Sequence, residues 1–79
     1  MSEFVKTQIA LMHSVVIANL PACCREVIEW QDTGTLKKNS KLMEAASHLK
    51  DTAFAHHKLT FVENYVKTAA MEFIVQTTA

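Results

Sequence analysis

The chain contains very few residues that break helices or form tight turns. Among its 79 residues there are one glycine and one proline. An all-β sandwich or barrel needs a turn signal about every 8–12 residues, so the composition disfavours that class and predicts an all-α fold. The length allows a single helical domain over residues 1–79, and the 49% of hydrophobic residues provide enough apolar surface for its core.

The chain also lacks an excess of charge of either sign. Eight basic side chains balance eight acidic ones. Domains that bind phosphate backbones usually carry a marked basic excess, so nucleic acid is not the expected partner. An alternative stays open, a dimeric nucleic-acid-binding protein in which two copies place a small lysine cluster on the phosphates. The cluster consists of Lys37, Lys38 and Lys41.

Cysteine is limited to two adjacent residues, Cys23 and Cys24. Their Cα atoms lie about 3.8 Å apart, below the roughly 4.4–6.8 Å of an ordinary disulfide, so we expect two reduced thiols. Reduced thiols are typical of cytoplasmic proteins, and the cytoplasm is the predicted location. Cys23 also falls on a core-facing helical stripe, where cysteine acts as a small apolar side chain.

No hydrophobic run is long enough for a membrane helix. The longest covers 16 residues, 9–24, and includes His13, Ser14, Asn19 and Pro21. A membrane-spanning helix needs about 20 predominantly apolar residues. The opening MSEFVKTQ lacks the basic start of a signal peptide. Neither membrane insertion nor secretion is expected.

The first helix is predicted from Ser2 or Glu3 to about Trp30. Ser2 is suited to cap it, and apolar residues recur at intervals of seven: Ile9, Val16, Cys23 and Trp30. Pro21 cannot donate a backbone hydrogen bond and clashes with the preceding turn, so the helix must kink or break there. Because the seven-residue pattern continues through Pro21, a kinked continuous helix is favoured over two helices with a restart capped by Asn19.

The second helix is predicted from Ser40 to about Gln76, with Asn39 or Ser40 as its cap, although a start as early as Thr35 is possible. It follows a connection over residues 31–40 in which Gly34 is the expected left-handed helix stop. Its apolar residues form two faces: Leu42, Ala46, Leu49, Ala53, His56, Leu59, Val62, Val66, Ala69 and Phe73 on the first, and Met43, Phe54, Phe61 and Tyr65 on the second. One neighbouring helix cannot cover both. We therefore predict a long helical hairpin that pairs with a second copy into a dimeric four-helix bundle, or with a helix of another protein.

No residue pattern indicates catalysis or a cofactor. The chain has neither a glycine-rich phosphate loop nor a nucleophile elbow, so an enzyme is not expected. The histidines lack the ligand spacings of known metal sites, although the hairpin register would place His13 near His56 and His57. No metal or cofactor is predicted. A metal- or thiol-dependent function through Cys23, Cys24 and the histidines stays an alternative.

The leading functional hypothesis is a small protein-binding regulator. A chain of this kind offers shape and an apolar face, which suits an adaptor, a chaperone-like partner or an antagonist, for example of a phage type. It would act by masking a partner protein with an apolar helix face anchored by aromatic side chains. The predicted partner-binding residues are Trp30, Met43, Phe54, Phe61 and Tyr65, and a homo-oligomer is expected.

Overall fold

The computed structural model of the chain describes residues 2–51 and 54–78, with side chains as far as residue 74. It contains four helices: α1 (Glu3–Ala18), α2 (Leu20–Thr33), α3 (Lys41–Ala46) and α4 (Lys58–Thr78). All regular secondary structure in the described ranges is helical, which confirms the predicted all-α class. The fold is compact, with a radius of gyration of 12.7 Å.

The structure has two helices, α1 and α2, where the sequence predicts one. The prediction of a continuous helix kinked at Pro21 is therefore wrong. α1 and α2 meet at Asn19 with a bend of 94°. Pro21 has no N–H to donate to the preceding turn. The Asn19 side chain instead satisfies a carbonyl at the end of α1, because its Nδ2 donates to the backbone oxygen of Val15 at 2.9 Å. We call this junction the elbow.

The elbow also bears on membrane insertion. Within the described ranges, no single helix combines the length and hydropathy of a membrane crossing. α1 and α2 reach those values only when they are taken together, as a pair bent by 94°.

The long second helix is also interrupted, so the predicted hairpin of two long arms is wrong. α3 ends at Ala46 and α4 begins at Lys58. Two apolar side chains of the intervening segment, Leu49 and Phe54, are buried in the core. Their burial and the hydrogen bonds that the segment makes to α1 outweigh its local preference for helix.

The core lies between helices that are not sequence neighbours. α1 packs mainly on α3, α2 packs mainly on α4, and α3 also contacts both α2 and α4. The buried apolar residues are Met12, Val16, Cys23, Val27, Leu42, Ala45, Ala46, Leu49, Phe54, Val62 and Val66. The seven-residue stripe of the sequence contributes Val16 and Cys23 to this core, while its outer members Ile9 and Trp30 are half-buried against it.

A carboxylate from α2 holds the start of α3. Glu26 accepts hydrogen bonds from the backbone N–H groups of Lys41, at 3.1 Å, and Leu42, at 2.9 Å. Ser40 Oγ accepts the next one, from Met43, at 3.1 Å. The free N–H groups that open α3 are therefore bonded to side chains, which explains how a helix of six residues is fixed in place.

Candidate protein-binding groove

An apolar groove lies between the elbow and the C-terminal half of α4. Its cavity volume is about 710 Å³. One wall comes from the elbow, with Ile17, Leu20 and Pro21, and the other comes from α4, with Phe73 and Ile74. The 94° bend creates the first wall, because it brings the end of α1 and the start of α2 to the same side of α4.

The groove continues the core-facing stripe of α4. Val62, Val66, Ala69 and Phe73 follow one another at spacings of four, three and four residues, so they lie on one face of the helix. Val62 and Val66 are buried and Ala69 is half-buried, whereas Phe73 is 59% exposed. The stripe thus extends beyond the packed body, and its last apolar member, Phe73, is exposed.

Several exposed apolar side chains are concentrated at the groove. Ile17, Phe73 and Ile74 all line it and are all exposed. Scattered apolar residues on a surface are ordinary, but a contiguous patch usually marks a binding site. The concentration of these three side chains around one concave surface makes the groove the best candidate functional site in the described part of the chain.

His13 and Tyr65 also line the groove, and Tyr65 is the first of three aromatic rings that lead from it towards the core. The His13 ring is hydrogen-bonded to the Tyr65 hydroxyl, and the two rings meet edge to face with centroids 5.6 Å apart. Tyr65 stacks on Phe61, which in turn contacts Phe54 at a centroid distance of 5.2 Å. The hairpin register that paired His13 with the histidines at 56 and 57 is therefore wrong, because α3 and α4 do not form one helix.

The predicted partner-binding residues are placed in different environments. Phe54 is buried in the core, and Trp30, Phe61 and Tyr65 are half-buried against it, while Met43 is exposed. Of the five, only Tyr65 lines the groove. Their role in partner binding stays a prediction.

The groove residues that the sequence did not reveal come mainly from the elbow. The spacing of apolar residues in the sequence predicts Phe73 on the first apolar face of the second helix. Ile17 and Pro21 gain their position from the bend at Asn19, whereas Ile74 lies beside Phe73 on α4. The only local signal for that bend is the combination of asparagine and proline, which also fits a kinked helix.

The two cysteines differ in environment. Cys24 is half-buried and lines the groove, whereas Cys23 is fully buried, and both are free thiols. Burial raises the pKa of the Cys23 thiol from 9.0 to about 11, and the negative charge of Glu26 adds to the increase. A thiol of this kind is a poor nucleophile at neutral pH. In the described ranges, no three His, Cys, Asp or Glu side chains are grouped so as to hold a metal ion.

The raised pKa of Cys23 predicts a loss of stability in alkali. Below about pH 9 the thiol is protonated in both states, and between about pH 9 and about pH 11 it ionises only in the unfolded chain. The free energy of unfolding should therefore fall as the pH rises through this range. Urea unfolding at pH 8 and pH 10.5 tests this, with Cys23→Ala as the comparison. We expect a smaller fall in the variant, and equal falls would contradict the prediction.

One lysine of the cluster, Lys41, has carboxylates close to it. Lys41 Nζ lies 3.2 Å from Glu44 Oε2, and the backbone N–H of the same lysine donates to Glu26. Lys37 and Lys38 are exposed. A site for phosphate backbones would be expected to present its cations without such acidic neighbours. The surroundings of Lys41 thus favour the groove over the lysine cluster as the candidate site.

Comparisons of the chain with protein-family models, with curated proteins and with solved structures each find no match. Its function is therefore inferred from the geometry and chemistry of its own residues.

Proposed function

We propose that this chain is a small protein-binding regulator, an adaptor, chaperone-like partner or antagonist that masks an apolar surface of another protein in its groove. The observation that carries the proposal is the exposed continuation of the α4 stripe, which ends in Phe73 opposite the elbow. A soluble chain gains stability by burying such residues. Their exposure is therefore best explained by a partner that covers them.

The form of the groove favours an apolar helix as the partner segment. It is a concave surface between helical walls, and grooves of this kind accept one face of an amphipathic helix, with apolar anchors spaced three or four residues apart. Phe73 and Tyr65 supply large rings that can pack on such anchors. Much of the affinity would come from these few side chains, as is usual at protein interfaces. The proposed location is the cytoplasm, which suits the two free thiols.

Two isoleucine variants with similar exposure test the proposal. Ile74 lines the groove and is 57% exposed, whereas Ile28 is 59% exposed and does not line it. We expect Ile74→Lys to abolish capture of a partner by the tagged protein from native lysate, since it places a charge in the apolar groove. Ile28→Lys should capture the same partner as the unmodified chain, in the same stoichiometry.

The fold of each variant is checked by its circular dichroism spectrum and its thermal unfolding curve. Both substitutions change exposed side chains, so each should shift the midpoint by only a few degrees. Equal capture by all three proteins would show that the groove is not the binding surface. A captured nucleic acid that is released by salt would favour the lysine cluster instead.

A further inference from the structure

The sequence across the gap between α3 and α4 is compatible with a helix. From residue 40 to residue 76 it contains neither glycine nor proline, and apolar residues continue at helical spacing through the gap. Nevertheless α3 ends at Ala46 and α4 begins at Lys58. Local sequence and tertiary structure therefore disagree here, and the disagreement indicates a segment that is held by contacts with the rest of the chain.

Gln8 on α1 holds the start of this segment. Its side chain is buried, and its Oε1 accepts hydrogen bonds from the backbone N–H groups of Lys50, at 2.5 Å, and Asp51, at 2.8 Å. In a continuous helix the same two groups would donate to the carbonyls of Ala46 and Ser47, four residues earlier. The Gln8 amide and a helix therefore compete for the same two donors.

Within the described residues, the second polar atom of the Gln8 amide, the buried Nε2, has no hydrogen-bond partner. An unpaired buried amide nitrogen destabilises the conformation that contains it. The free-energy difference that favours the interrupted conformation over a continuous helix is therefore smaller than the two hydrogen bonds to Gln8 alone would give.

From this competition we infer that the chain has a second conformation, in which α3 and α4 form one helix and two copies exchange their α4 helices. The exchange follows from the packing, because α3 and α4 contact each other and both contact α2. A straight helix would carry α4 away from its own α2 and expose Val62 and Val66. A second copy in the same conformation offers an identical vacant surface, so exchange restores these contacts.

Exchange would change the composition of the groove as well as the oligomeric state. The elbow stays with α1 and α2, whereas Tyr65, Phe73 and Ile74 move with α4. Each of the two grooves in the exchanged dimer would then combine the elbow of one copy with α4 of the other. The long second helix that the sequence pattern predicts is the helix of this dimer.

Replacement of Gln8 by leucine tests the inference. Gln8→Leu keeps a buried side chain of similar size but removes Oε1, which accepts from the N–H groups of Lys50 and Asp51. The variant therefore lacks the acceptor that competes with a helix for these two groups. We expect its dimerisation constant, that is, the association constant of two monomers, to be at least tenfold higher than that of the unmodified chain, as measured by sedimentation equilibrium. The helical signal per residue should also be higher in the dimer than in the monomer.

A glycine in the gap provides the matched control. Ala55 is exposed and lies between α3 and α4. Glycine disfavours helix about fivefold in each of the two copies, so Ala55→Gly should lower the dimerisation constant about 25-fold, both in the unmodified chain and in the Gln8→Leu background. The stability of the monomer should change little, because the side chain that is removed is exposed.

Three results would overturn the inference. In the first, Gln8→Leu remains as monomeric as the unmodified chain. In the second, Gln8→Leu dimerises but its dimer shows no gain in helical signal, and this result would indicate association through the groove without exchange. A dimerisation constant that Ala55→Gly leaves unchanged would be equally decisive. The glycine variant carries the test alone should Gln8→Leu not fold.

Discussion

Leu42→Ala is expected to lower the free energy of unfolding by about 3 kcal/mol, the typical loss for a fully buried leucine. Leu42 has no exposed surface, and it is the only large side chain that α3 contributes to the core, beside Ala45 and Ala46. A domain of this size rarely has more than about 3–5 kcal/mol of stability. The variant should therefore keep at most about 2 kcal/mol of stability and unfold at a much lower urea concentration at 25 °C, as measured by urea titration followed by circular dichroism.

The matched control for Leu42→Ala is Leu11→Ala on α1. Leu11 is 47% exposed, so its truncation removes little buried surface, and alanine favours a helix at least as well as leucine does. We expect the free energy of unfolding to change by less than about 1 kcal/mol. Similar losses in the two variants would contradict the assignment of Leu42 to the core.

Glu26→Ala is expected to lower the free energy of unfolding by about 2 kcal/mol, the second largest effect. The substitution removes the acceptor of two backbone N–H groups at the start of α3. Hydrogen bonds to a charged group contribute about 1.5–3 kcal/mol, and the donors left behind are partly buried. α3 is too short to persist without its partners, so unfolding should remain a single transition with a lower urea midpoint.

Two further variants separate the cap from a general effect of charge. Glu26→Gln keeps one carbonyl oxygen, so it should lose less stability than Glu26→Ala. Glu29→Ala removes an exposed carboxylate from the same helix and should change the urea midpoint very little. Equal losses at Glu26 and Glu29 would mean that net charge, and not the contact with α3, determines the effect.

Where hydrogen bonds are local, the sequence predicted the helix boundaries. Ser2 and Ser40 cap α1 and α3 through the N–H groups of Val5 and Met43, three residues on. Gly34 ends α2 in a left-handed conformation with φ of 73°. These features depend on residues within one turn of each other, so they can be recognised from spacing alone.

Local sequence patterns do not predict the two interruptions, which are the elbow at Asn19 and the gap between α3 and α4. Gln8 acts on Lys50 and Asp51 from a distance of more than 40 residues, and nothing near residue 50 in the sequence marks the end of a helix. At the elbow, a proline in the first turn of α2 is compatible with either a kink or a break. The candidate groove depends on that elbow, so the sequence indicated its apolar character but not its position.

The packing of α1 on α3 and of α2 on α4 has a consequence for synthesis of the chain on the ribosome. The ribosome adds 28 residues between the end of α1 at Ala18 and the end of α3 at Ala46. At about 5–20 residues per second, this takes about 1–6 seconds. During that interval Met12 and Val16 lack the helix that α1 mainly packs on. The newly made α1 should therefore be open to chaperones for seconds, and a pause in translation before α3 should reduce the yield of folded protein.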